Sequence, residues 1–411
     1  MNYPICIFED EGYKNFLPLT YFRPIYDLRC GILTIKEKIQ KYFGEADYIL
    51  FTREYLANYE RELREEKVNE LTNEKILFIN SRVLPDLEFA KIVSKNDDDE
   101  LFINGDNIVA AKLSGENISK FISDNEITDS IENFDCKKTE VDSKLFEYPW
   151  ELISENGKEI IKDIELLSPE KPNNNIEGVH LIHSDDIYIG KDVNIKPNVV
   201  LDASEGPIFI DDDAKIFPNS YIVGPVYIGK KSLVKASSQI YHDTTIGPVC
   251  KVGGEIENSI IHSYSNKQHE GFLGHAYLGS WINIGASSNN SDLKNDYGKI
   301  KVLLNGNEID TGLQFVGLIM GDHSKCAINT AFNTGTIVGV SCNIYGAGFP
   351  DRYIPSFSWG GSEGFREYHL RKAAEVAKIV KSRRNINMST ADLEVFKHVF
   401  ELTQTERDKL K

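Results

Sequence analysis

Apolar residues recur at every sixth position through much of the second half of the chain. The series runs Ile189, Ile195, Leu201; then Ile210, Ile216, Ile222, Ile228, Val234, Ile240, Ile246, Val252; then Phe272, Leu278, Ile284; then Met320, Cys326, Phe332, Val338, Ile344. A hexapeptide period means short parallel strands stacked as the walls of a prism, each aliphatic side chain filling a corner and each coil burying the one before it. Gly190, Gly229, Gly247, Gly279 and Gly285 are expected at tight turns between walls.

The front of the chain has another rhythm. Residues 3–8, 47–52 and 76–79 read as buried strands, and residues 33–43 and 54–71 between them as helices, the first with Ile35, Ile39 and Phe43 on one face. Such alternation predicts an α/β, Rossmann-like sheet that binds ligands at the carboxyl ends of its strands. Short strands at 101–103 and 108–112 and a helix over 145–167 follow. A Pro- and Asn-rich stretch, SPEKPNNNIEG at 168–178, reads as a linker. The expected division is an α/β part with its connecting helix at 1–170, the prism at 171–361 and a helical tail at 362–411. The tail carries Leu370, Ala374, Ala377 and Val380 on one face, then a helix capped near Ser389 with Leu393, Phe396 and Phe400.

Composition narrows the function classes. The chain has 411 residues, 41% of them apolar, and a formal charge of −17. That charge argues against a nucleic-acid or anionic-membrane partner, because a phosphate surface is held by excess Lys and Arg. An anionic sugar phosphate would need a local basic pocket. Six cysteines without a Cys-x-x-Cys pair, and an opening strand in place of a signal core, point to a reducing cytoplasm. No apolar run approaches the ~18 residues that span a bilayer.

Residues 267–290 read KQHEGFLGHAYLGSWINIGASSNN. The pattern His269-x-x-Phe272-Leu273-Gly274-x-Ala276-x-Leu278-Gly279-x-x-Ile282-Asn283-Ile284-Gly285-Ala286 resembles the acetyltransferase half of the bifunctional N-acetylglucosamine-1-phosphate uridyltransferase/glucosamine-1-phosphate acetyltransferase family, and the whole chain resembles GlmU-like sugar nucleotidyltransferases. The resemblance implies a left-handed parallel β-helix, acetyl-CoA as donor, an amino sugar phosphate or sugar nucleotide as acceptor, and a homotrimer. Amine acylation needs a base working near neutral pH, which suits histidine. The resemblance gives that role to His269 and places Asn283 at the sugar and acetyl site. Phe272 stands where a tyrosine is usual. Asn295, Asp296, Tyr297 and Gly298 echo an Asn-Tyr-Asp-Gly segment in altered order, which implies substrate contacts from Asn295 and Tyr297. Taken alone, His269 reads as an exposed turn histidine. Left-handed β-helix carbonic anhydrases hold zinc with three histidines, but the spacing of His262, His269, His275 and His323 does not match theirs, and no metal ligand is assigned. Asn283, Asn329, Asn333 and Asn343 are expected to stack inside turns.

Residues 17–39, LPLTYFRPIYDLRCGILTIKEKI, resemble the early motif of sugar-1-phosphate nucleotidyltransferases through Pro18, Leu19, Thr20, Arg23, Pro24 and Gly31. Thr20 and Arg23 are the implied nucleotide-side contacts, and Mg²⁺ the implied ion if this part is active. Three features depart from that family. FEDEGY follows the first strand where a glycine-rich loop is required, Ile25 replaces a lysine, and Asn80, Ser81 and Arg82 stand where a metal-binding Asp belongs. Asp106 is either a displaced metal ligand or part of a hairpin turn. Arg23 in an inactive fold would pair with a carboxylate such as Asp27. The leading expectation is acyl transfer at the β-helix. Nucleotidyl transfer, and a non-catalytic oligomer with the β-helix as scaffold, stay as alternatives.

Overall fold

The computed structural model describes residues 3–408 and 410, apart from 73, 124–125, 129 and 171–175, so part of the linker lies outside the described residues. Strands β1 (Ile5–Phe8), β2 (Tyr48–Phe51), β3 (Lys67–Val68), β4 (Ile76–Asn80), β5 (Glu100–Asn104), β6 (Asn107–Leu113) and β7 (Lys137–Glu140) form one sheet in the order β3-β2-β1-β4-β6-β5-β7. The β1, β2, β3 and β4 strands are parallel, and β6 runs antiparallel to both β4 and β5. Helix α1 (Ile35–Phe43) starts at a capping box in which Thr34 Oγ1 accepts from Glu37 N and Glu37 returns a carboxylate to Thr34 N, and it stops at Gly44 with φ 72°. Helix α2 (Glu54–Leu63) is shorter than the sequence predicts. Arg64 is drawn to Asp27 and Glu60, and Lys67–Val68 leave the helix to pair with β2.

The second half is a β-helix with three faces. The first runs from His180–Ile182 to Phe272–Gly274 and continues in the pair Asn289–Asn290 and Ala331–Phe332, the second is a nine-strand stack from Ile187–Ile189 to Tyr353–Ile354, and the third begins at Asn194–Ile195 and ends at Ser358–Gly361. Inward residues from Leu201 to Val252, and again from Leu278 onward, form one core. The register slips between them. Ile228 faces Ile246, yet Ile246 faces Ile261, so that coil closes with three fewer residues. Leu273, not Phe272, therefore points inward, opposite Ile256. The wall glycines serve close approach and not left-handed turning: a Cβ on Gly247 would sit 1.7 Å from His262 O. The corners themselves use Asp192, Asp213, Lys231 and Ser237, with φ between 56° and 59°. Asn283, Asn329 and Asn333 are exposed and not stacked internally as expected.

The N-terminal sheet lies against the side of the β-helix. Outward residues of the second face (Ile260, Tyr277, Ile319, Ile337) share a core with Ile25, Tyr26, Leu28 and Trp150, and Tyr227 packs on Ile32, Leu33 and Ile160. Helix α3 (Pro149–Leu167) binds this joint through a buried cluster in which Lys38 pairs with Glu159 and Asp163, while Asp163 accepts from Ile32 N and Leu33 N. Helices α4 (Leu370–Ser382) and α5 (Thr390–Leu402) pack Ala373, Ala377, Val395 and Phe396 against Phe22, Leu56 and Val340, touching both halves. No helix among the described residues is long and apolar enough to cross a membrane.

Candidate functional site

At the carboxyl ends of β1 and β4, where a doubly wound sheet receives its nucleotide, the chain fills its own crevice. Glu9 accepts from Ile25 N at 2.8 Å, Thr52 Oγ1 at 2.5 Å and Arg53 Nε at 3.2 Å. Asp10 accepts from Arg82 Nε at 2.8 Å and Asn80 Nδ2 at 2.7 Å. All of these groups except Arg53 are less than 9% exposed, and Arg53 is capped by the Tyr13 ring at 4.2 Å. The Arg82 guanidinium occupies the space beside Gly12, whose Cβ would meet it at 2.4 Å. Both carboxylates near the metal position are thus neutralised by arginine, and the donor set does not fit Mg²⁺, which needs free oxygen ligands and usually keeps several waters. Asp106 lies in the turn joining β5 to β6, so the hairpin reading holds. Thr20 is fully buried and donates to Tyr13 O at 3.1 Å. Arg23 turns away from the crevice and pairs with Asp322 on the β-helix; Asp27, its expected partner, pairs with Arg64. Thr20 and Arg23 meet the crevice through their backbone, their carbonyls accepting from Arg53 Nη2 at 2.8 Å each, while their side chains are spent on Tyr13 O and Asp322.

His269 stands exposed where the chain leaves the third face for the first, between Asn266–Lys267 and Phe272–Gly274. Asn283, also exposed, lies one coil on, beside Asn266. The turn carrying His269 is fixed from inside. Lys267 occupies the inward register position opposite Val252, is 2% exposed, and donates to Gly253 O and His269 O, both at 3.0 Å. Burial lowers its pKa to about 8. A lysine at an apolar register position is the sequence signal that a strict six-residue count passes over. Asn295 and Tyr297 do not join His269. They sit exposed in an excursion that leaves the coil after Asn289–Asn290, at the opposite edge of the first face, and continues as a hairpin, Lys301–Leu304 with Asn307–Asp310, leaning on the N-terminal sheet.

At that opposite edge His275 Nδ1 meets Asp292 Oδ2 at 2.8 Å, Glu257 lies close to both, and Phe315 stacks on the imidazole at 4.9 Å. Burial and the nearby Asp292 raise the Glu257 pKa. His262 and His323 are buried apart from this group, and burial pushes both well below the usual histidine range.

Residues 5–171 match the family described as "Sugar nucleotidyl transferase". A bifunctional sugar-1-phosphate nucleotidylyltransferase/acetyltransferase of Sulfurisphaera tokodaii is 28% identical over 154 residues, 37% of this chain and 38% of that one. Bifunctional protein GlmU of Methanococcus aeolicus is 24% identical over 376 residues, 79% of this chain and 89% of that one. Bifunctional protein GlmU of Methanocaldococcus jannaschii is 27% identical over 31% of this chain. The first and third of these similarities span 38% and 30% of those relatives' own lengths.

Proposed function

We propose that this GlmU-like chain, which carries a sugar nucleotidyl transferase family domain over residues 5–171, is a transferase of sugar-nucleotide metabolism whose chemistry resides in the β-helix. The reaction is acetyl transfer from acetyl-CoA to the amino group of an amino sugar phosphate or nucleotide-linked amino sugar. The observation that carries this reading is the exposed His269, on a turn braced by a buried lysine and one coil from Asn283. Acetyl-CoA supplies the activated carbonyl. Below it along the same corner lie Ala286 and then Ile328, which is 64% exposed and offers an apolar strip suited to the donor's arm. His269 takes the proton that the amine releases as it attacks the thioester carbonyl, the C–S bond breaks, the departing coenzyme A thiolate receives that proton, and Asn283 offers an amide to orient the acceptor.

The second face is covered by the N-terminal sheet, while outward residues elsewhere, such as Lys215, Gln239 and Asn283, stay exposed. A homotrimer packed through the open faces would bring a second chain to His269. The self-filled crevice and its arginine-paired carboxylates argue against nucleotidyl transfer. Replacing His269 with Ala should leave folding intact and lower acyl transfer by ~10²–10⁴-fold, the usual span for a general base, with the acetyl-CoA dissociation constant unchanged. His180, exposed on the first coil, is the silent control; His275 is unsuited because it pairs with Asp292. Full activity in the Ala variant, or none in the parent with any amino sugar, leaves the β-helix as an oligomerisation scaffold.

A further inference from the structure

We propose that the cavity where the N-terminal sheet, the β-helix and the tail helices meet binds a small phosphate-bearing anion through the free guanidinium edges of Arg23 and Arg29, beside His323. The space measures about 420 Å³, within the usual range for small-molecule sites. It opens at the corner between the second and third faces, marked by Tyr264, Trp281 and His323, whereas His269 occupies the corner between the third and first. The inference is therefore independent of the acyl-transfer reading.

Unpartnered polar atoms, three of them guanidinium donors, carry the argument. Arg23 Nε and Nη1, Arg29 Nε and His323 Nδ1 are buried without a hydrogen-bond partner among the described residues, and each parent residue is less than 9% exposed. Other buried arginines of this chain are saturated. Arg82 meets Asp10, Asn107 and Phe146 O, and Arg407 meets Glu367, Thr403 and Phe400 O. A buried donor left unmade costs ~1–3 kcal/mol, and these three guanidinium N–H groups belong to two arginines that line the same cavity, which marks it as a place for an acceptor. Guanidinium edges suit a phosphate, which accepts two parallel N–H bonds at once.

The charges agree. The lining carboxylates are already engaged: Asp322 by Arg23, Asp27 and Glu60 by Arg64, Asp392 by Lys381, and Glu37 by the Thr34 N–H. Arg29 donates Nη1 to Ile32 O, and the carboxylate oxygen it meets, on Glu37, is distant at 3.9 Å. Five cations (Arg23, Arg29, Lys36, Arg64, Lys381) face five carboxylates (Asp27, Glu37, Glu60, Asp322, Asp392) in the lining, and burial with the neighbouring Asp27 raises the Glu60 pKa to about 7, so the lining carries no net negative charge to repel an anion near neutrality. The wall opposite is aromatic. Trp281 stacks on Tyr264 at 4.3 Å and faces His323 at 6.0 Å, which makes it an optical reporter of occupancy.

The test titrates the full chain at low salt with inorganic pyrophosphate, orthophosphate and UDP-N-acetylglucosamine, by calorimetry and by tryptophan fluorescence. Saturable binding of one ligand per chain is expected, with a change in Trp281 emission that Trp281→Phe abolishes while the calorimetric affinity persists. Arg23→Lys keeps the charge opposite Asp322 but removes the fork, and should weaken binding about tenfold or more with an unchanged melting temperature. Arg29→Gln, away from the Asp322 pair, serves as the second variant. Binding of the inorganic ions identifies free phosphate as the source; binding of the sugar nucleotide alone identifies an ester; both support the site. No saturable binding of any of the three, or affinity unchanged in both arginine variants, overturns it.

Discussion

Lys267 ties the interior of the β-helix to the turn that carries His269, and its burial fixes a measurable pH dependence. Its pKa falls from 10.5 to about 8 because the ammonium is desolvated inside the coil. In the unfolded chain the amine keeps its proton up to the ordinary lysine range. Between those two values the unfolded state therefore binds more protons than the folded one, and stability rises with pH. Below pH 8 the folded state carries the whole cost of the buried charge. One pKa unit is worth ~1.36 kcal/mol, so raising the pH from about 7.5 to about 10 should add about 2–3 kcal/mol through this residue alone. Lys267→Met fills the same volume without a titrating group and should lack that increment. At neutral pH the Met variant gains the relief of an uncharged core and loses two hydrogen bonds to Gly253 O and His269 O, each worth about 0.5–1.5 kcal/mol net. The two effects nearly offset, so its stability there should lie close to that of the parent. The assay is urea unfolding of parent and variant at both pH values, taking the difference of differences so that other titrating groups cancel. Curves that stay parallel within about 0.5 kcal/mol would refute the account of Lys267 as a buried, charged brace.

Three further outcomes follow from contacts described above. Lys38→Met leaves Glu159 and Asp163 buried without their cation and should cost about 3–5 kcal/mol, read from the urea midpoint. Pyrophosphate release with Mg²⁺, a nucleoside triphosphate and any hexose-1-phosphate should stay below ~1 s⁻¹, the low end of ordinary enzymes; a faster rate would show that the crevice opens. Light scattering at micromolar concentration should give the mass of three chains, and a monomer would weaken the acyl-transfer reading together with the trimer.

Much of the fold was legible because its periods are local. The six-residue repeat from Ile210 to Val252 corresponds residue by residue to the observed core, and the strand–helix alternation of the front half gives the parallel β1, β2 and β4. The shortened coil was not legible, since a change of register leaves no mark except a polar residue, Lys267, at an inward place. Contacts distant in sequence were equally silent. The carboxylate that Arg23 selects is Asp322 and not the adjacent Asp27, a choice made by how the sheet docks on the β-helix. The His275–Asp292 pair likewise forms only when neighbouring coils stack. Asn295 and Tyr297 follow their excursion to the far edge because Ile300, Val302 and Leu304 bury themselves against the N-terminal sheet.

The side-on docking of that sheet has an evolutionary consequence. Tyr277 is wholly buried, accepting from Arg29 N at 2.9 Å and donating to Arg29 O at 3.0 Å, and Asn156 reaches across the same seam to Asp243 O. A β-helix cut free of residues before 170 would bare Ile260, Tyr277, Ile319 and Ile337 as one sticky stripe. Selection then has a reason to keep the front half that does not depend on its chemistry. As the outer wall of the β-helix, the front half is held to its hydrophobic underside whatever fills the crevice at its strand ends.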